Sequence, residues 1–135
     1  KNIVKKKKLE SKVTFIGFQK NPWQWYASAD AMLITSYWEG MPNSVIESLA
    51  CGCQIISVNG LPGIRDIKRL SSKRSVSIES FPDNFLKKVK KVYKKKRIKN
   101  PNKSILPKEL KIENSLKKFE HTFFSVLNVN ENKYK

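Results

Sequence analysis

The chain has 135 residues, 39% hydrophobic and 29% charged, with 5 Gly and 6 Pro, which gives room for one domain with an apolar core and too little for two. This balance excludes a collagen-like or wholly disordered chain, and no apolar run approaches the length of a membrane-crossing helix. The net charge is +17, placed unevenly: residues 1–12 carry six Lys and one Glu, residues 13–64 are net −2, and residues 65–135 carry 21 basic and 7 acidic groups.

Lys-rich residues 1–12 lack the apolar stretch of a signal peptide, and the lysines at 5–8 read as the end of a helix. "VTFIGF" at 13–18, β-branched and aromatic, predicts a strand. "NPWQWYASAD" predicts a short helix running to Ala29, capped by Asn21 with Pro22 in its first turn. "AMLIT" at 31–35 is a continuous apolar run, as expected of a parallel strand buried on both faces. A loop, "SYWEGMP", leads into "NSVIESLACG", a short helix ended by Gly52. "QIISV" at 54–58 predicts a second buried strand, "NGLPG" a turn, "IRDIKRL" a short helix and "SVSI" one more short strand.

In "PDNFLKKVKKVYKKKRIK" the residues Phe85, Leu86, Val89, Val92 and Tyr93 fall at helical spacing, with Lys filling the other face. Residues 100–107 read as a linker. "KELKIENSLKKFEHTFFSVL" at 108–127 sets Leu110, Ile112, Leu116, Phe119, Phe123 and Leu127 near one side of a terminal helix, and residues 128–135 form a frayed tail. Strands and helices alternating over short connections predict an α/β fold, a Rossmann-like parallel sheet with flanking helices, followed by long C-terminal helices.

The segment that points to chemistry is "SYWEGMPNSVIESLACGCQII". In open parallel sheets, ligands bind beyond the carboxyl ends of the strands. Glu39 closes the loop there, Gly40 permits a tight backbone, and Pro42 leads into a helix that carries Glu47. Backbone amides of Asn43, Ser44 and Val45 at that helix start are placed to hold a diphosphate. A carboxylate one turn in accepts hydrogen bonds from paired ribose hydroxyls, each charge-assisted bond contributing about 1.5–3 kcal/mol. The same spacing, Ser44-x-x-Glu47, is also a capping box that does no more than satisfy the helix's own amides.

The remaining signals have simpler readings. Cys51 and Cys53 are too few for zinc, sit on opposite faces of an extended chain, and read as buried free thiols. No set of metal ligands is expected. His121, beside Phe123 and Phe124, reads as structural. Trp23, Trp25 and Tyr26 form either a stacking platform or, more commonly for aromatics on a short helix, core. Tyr37 and Trp38 flank Glu39, and Arg65 and Asp66 either pair or point to the cleft.

Residues 13–67 resemble the C-terminal domain of the family 4 retaining glycosyltransferases. The matching pieces, in order, are "VTFIGF", "NPWQWYASADAMLITS", Glu39 to Glu47 with seven residues between, "SLACGCQII" and "GLPGIRDI". The resemblance implies half of a GT-B fold and a UDP- or GDP-sugar as donor for capsule, lipopolysaccharide or glycolipid synthesis. It implies that Glu47 binds the ribose and that Glu39 lies by the donor sugar and diphosphate. Gly40, Met41, Asn43, Ser44 and Val45 would line sugar and phosphates, and Gly17 and Phe18 would border the base. It implies no protein nucleophile, no metal and no cofactor besides the donor. The chain departs from the family pattern at Gln54, where Pro is usual, and only twelve Lys-rich residues precede Val13.

On this reading residues 1–12 are the basic remnant of a preceding helix, and 13–99 an incomplete nucleotide-sugar-binding domain of an N-terminally truncated protein. Residues 100–107 are the linker, 108–127 the C-terminal helix and 128–135 the tail. The missing acceptor-binding wall makes transfer by this polypeptide alone doubtful and calls for a partner chain. The Lys-rich flanks are either solvated helix faces or suited to an anionic membrane surface, and the expected location is the cytoplasm, peripheral at the inner face on the second reading. Two other readings stay open, a basic nucleic-acid-binding protein and a non-catalytic gene remnant. Nucleic acid is the weaker partner, because the charge avoids the patterned part of the chain and no recognised binding motif is present.

Overall fold

The computed structural model describes residues 1–58, 61–95 and 103–127. Three parallel strands, β1 (Ala31–Ile34), β2 (Gln54–Val58) and β3 (Val76–Glu79), pair in the order β1-β2-β3. Leu33 stands opposite Ile56 and Ile55 opposite Val76, so residues that alternate along each strand share a face across the sheet. Around them lie six helices among the described residues: α1 (Asn2–Lys6), α2 (Trp23–Ser28), α3 (Asn43–Ala50), α4 (Pro62–Leu70), α5 (Asp83–Lys94) and α6 (Ile112–Val126). This is the α/β architecture expected, a Rossmann-like half.

The core sits between the sheet and the α3–α4 pair. Val45 and Leu49 from α3 and Ile64 and Ile67 from α4 are buried with Ile34, Ile55 and Val76 of the strands and with Leu61. Each such side chain contributes about 1.5–3 kcal/mol on leaving water. α5 lies against the opposite face through Phe85, Val89 and Val92. β2 is buried along Ile55, Ile56 and Ser57 because it has a strand on each side and helices on both faces.

Several expectations are corrected. Residues 13–18 form no strand: among the described residues β1 pairs only with β2, and residues 13–18 lie exposed, with Phe15 at 55% and Phe18 at 89%. A β-branched run becomes a strand only when a neighbour takes up its backbone groups. For the same reason β1 is not buried on both faces, and Leu33 is 47% exposed. Asn21 does not cap α2, whose N-cap position is Pro22. Ser44 lies inside α3 rather than before it, the N-cap is Pro42, and no capping box forms. Residues 103–107 are more than a linker: Pro107 is buried, Ile105 and Leu106 pack on the core, and the Ile105 amide donates to the Leu49 carbonyl at 3.0 Å. A 3-10 turn at Lys108–Leu110 then precedes α6. Residues 96–102 and the tail at 128–135 lie outside the described residues.

Candidate functional site

The carboxyl ends of β1 and β2 face the starts of α3 and α4, which follow them in the chain. The loop at 35–42 covers this end. Glu39 is half-buried and fixed, because the Ser36 hydroxyl donates to its Oε1 at 2.9 Å. Tyr37 and Trp38 beside it are open to solvent, and Met41 is 53% exposed, so the apolar surface around Glu39 is free to meet a ligand.

The loop is pressed onto α4. A Cβ built on Gly63 would lie 1.7 Å from the Gly40 carbonyl oxygen, so only glycine at 63 admits this approach. At Gly40 a Cβ would meet nothing within 4 Å. The tight passage expected at Gly40 is therefore imposed by Gly63 across from it, and the space in front of Gly40 is open.

At the start of α3 the Val45 amide is already bonded to the Pro42 carbonyl at 3.0 Å, and that of Ile46 reaches the same oxygen at 3.4 Å. This corrects the expectation of three free amides: those of Asn43 and Ser44 precede the first intrahelical bond, and the Val45 side chain is core. Anion binding at this end falls to Asn43 and Ser44, with the helix dipole behind them.

Glu47, half-buried one turn into α3, is not turned back onto its own helix start. It faces Tyr26, on the helix that packs against α3. Burial, followed by the charge of Glu47 and the hydrogen bond to it, pushes the Tyr26 phenol above its ordinary 10.0. The Tyr26 ring is in turn braced edge-on by Trp23, with centroids 6.4 Å apart and planes at 62°. One turn further along α3, burial, then Cys53, then Glu47 push the Cys51 thiol above its ordinary 9.0. Cys51 is half-buried, Cys53 is buried, and both are free thiols.

Glu39, Gly40, Met41, Asn43 and Ser44 thus share one end of the sheet, and Glu47 stands on the next turn. Gly17 and Phe18 are not tied to them: Gly17 has a left-handed φ of +62°, Phe18 points to solvent, and no hydrogen bond or ring contact links either to α3. Ser36 and Gly63 are not among the residues the sequence singles out, and Tyr26 is singled out only as stacking platform or core. The S-x-x-E spacing of Ser36 and Glu39 was the available signal for the first, and the other two depend on packing between distant segments. Arg65 does not pair with Asp66, whose partner is Arg69 at 3.1 Å on the surface. Among the described residues no group of three or more His, Cys, Asp or Glu comes together as a metal site. An apolar recess of about 210 Å³ between β1, β2 and α5 opens near Asp30 and Ala31, at the amino end of β1, away from these residues.

A model of the family described as "Glycosyl transferases group 1" matches residues 1–106. The chain is 35% identical over 65 residues to the N-acetylgalactosamine-N,N'-diacetylbacillosaminyl-diphospho-undecaprenol 4-alpha-N-acetylgalactosaminyltransferase of Campylobacter jejuni, covering 48% of this chain and 18% of that protein. It is likewise 35% identical over 65 residues to an uncharacterized glycosyltransferase of Methanocaldococcus jannaschii, covering 48% of this chain and 16% of that one. The chain therefore spans less than a fifth of these relatives where it matches them.

Proposed function

The chain belongs to the group 1 glycosyltransferases, and from that premise we propose that it is the donor-binding part of a retaining GT-B enzyme that takes a UDP- or GDP-sugar. One observation carries the reading: within a family of sugar transferases, Glu39, the amides of Asn43 and Ser44, and Glu47 stand in sequence along one helix entry at the carboxyl end of a parallel sheet. The diphosphate lies against the start of α3, Gly40 and Met41 border the sugar beside Glu39, and Glu47 accepts from the ribose hydroxyls. By the family resemblance, Gly17 and Phe18 border the base. The donor is a substrate, and the reading calls for no further cofactor and no metal.

Retention needs donor and acceptor held together in a closed, dry site, and the acceptor-binding wall comes from outside these 135 residues, on a partner chain or a further domain. The relative named for a diphospho-undecaprenol acceptor supports a role in cell-surface polysaccharide or glycolipid synthesis. No helix among the described residues is long and apolar enough to cross a membrane. The exposed lysines of α5, interleaved with Leu86 and Tyr93, suit peripheral contact with anionic lipid on the cytoplasmic side.

Calorimetric titration of the chain with UDP and with GDP tests this. Saturable binding of one of them is expected, little changed by salt and weakened about 10- to 100-fold by Glu47→Ala. Steeply salt-dependent binding of DNA, with no affinity for either nucleotide, overturns it in favour of a nucleic-acid-binding protein.

A further inference from the structure

We infer that Ser36 is a positioning residue for the donor diphosphate: its hydroxyl holds the Glu39 carboxylate off the start of α3 and so keeps the amides of Asn43 and Ser44 open for the phosphates. This rests on the reading of those two amides as the diphosphate-binding groups and adds the device that keeps them clear of the protein's own charge.

A helix start attracts negative charge, and a nearby carboxylate of the protein competes for it with any ligand. At α3 that contender is present. No side chain caps the helix, the amides of Asn43 and Ser44 precede its first internal bond, and Glu39 stands in the loop just ahead of them. Glu39 does not turn there. Its Oε1 accepts from the Ser36 hydroxyl at 2.9 Å, a bond that closes over the two exposed aromatics Tyr37 and Trp38. Ser36 and Glu39 are both half-buried, so water competes less for this bond than at an open surface. The backbone beside Glu39 is steadied from another side, where the peptide of Gly40 lies against Gly63. No ion pair holds Glu39 among the described residues, where the salt bridge formed is that of Arg69 with Asp66. The hydroxyl is therefore what sets the direction of the carboxylate. It occupies one of two oxygens, which leaves acceptor capacity for hydroxyls of the donor sugar.

The test is calorimetric titration of the whole chain with whichever of UDP or GDP binds. Neither carries a sugar, so the contact of Glu39 with the donor sugar does not enter. Ser36→Ala frees the carboxylate and is expected to lower the affinity about 3- to 10-fold. Ser36→Thr keeps the hydroxyl and is expected to keep most of the affinity. The deciding variant combines Ser36→Ala with Glu39→Gln, which removes the competing charge, and it is expected to regain what Ser36→Ala loses. If the double variant binds no better than Ser36→Ala, the hydroxyl acts through the shape of the loop. The positioning role is then wrong and the diphosphate reading stands. An unchanged affinity in Ser36→Ala, or an equal loss in Ser36→Thr, overturns the role as well. Should Ser36→Ala fail to fold, Ser36→Cys, which keeps the shape and weakens the donor, carries the same comparison with the same outcomes. If neither UDP nor GDP binds the unaltered chain, the donor reading falls and this inference with it.

Discussion

Helices α4 and α6 have the same design and opposite fates. Both are amphipathic, and both carry apolar residues three and four apart. In α4 that stripe is buried, with Gly63, Ile64 and Ile67 under the β2–β3 side of the sheet. In α6 nothing is buried: Ile112, Leu116, Phe119, Phe123 and Val126 run in strict 4-3 spacing along the helix and are 69, 53, 68, 50 and 75% exposed. Periodicity states that a helix has an apolar face and leaves open what covers it. α4 is held because the strand before it and the loop beside it deliver it onto the sheet within a few residues. α6 follows a 3-10 turn and contacts little besides that turn among the described residues.

Substitutions graded along these two helices sharpen or break the contrast. The largest effect is expected from Gly63→Ala. Its Cβ has no room beside the Gly40 carbonyl, so cooperative unfolding in urea should be lost or shifted by more than for any core truncation. Next is Ile64→Ala, which leaves a cavity in a fully buried site and should lower stability by about 2–5 kcal/mol in the same titration. A middle-sized effect is expected from pH. Tyr26 and Cys51 are acids whose neutral forms the fold favours, so their stabilisation is complete below the ordinary values of 9.0 and 10.0 and lost as pH rises through the higher folded values. Melting temperature should therefore fall in the alkaline range, and Cys51→Ala should remove the part that begins nearest 9.0. Ser48→Ala should be neutral or stabilising by about 1 kcal/mol, since the buried Ser48 hydroxyl has no hydrogen-bond partner among the described residues. Phe119→Ser on α6 should change stability by less than about 0.5 kcal/mol. If it costs as much as Ile64→Ala, the contrast is broken.

The parts legible in the sequence are those where a residue's fate is decided locally. "QIISV" is apolar on both faces and is the central strand; "NSVIESLA" has a helix period, and Pro62 stands at the first turn of α4. Where fate depends on a distant neighbour, the reading failed. "VTFIGF" has every local mark of a strand and no strand partner among the described residues, while "SILP", with no such mark, supplies Ile105 and Leu106 to the core. The candidate site divides the same way. Glu39 and Glu47 are candidates by their place in the sequence and the family resemblance, whereas Tyr26 comes near Glu47 only because α2 lies on α3, and Gly63 meets Gly40 only because a loop more than twenty residues earlier leans on it.

That last contact has a mechanical consequence. Nothing wider than a hydrogen atom separates the first turn of α4 from the peptide that carries Gly40. The two segments therefore behave as meshed parts: a nudge to either one is handed to the other without slack. A side chain at position 63 would therefore prise the peptide of Gly40, and the loop that carries Glu39, away from the helix turn that buries Ile64 and Ile67.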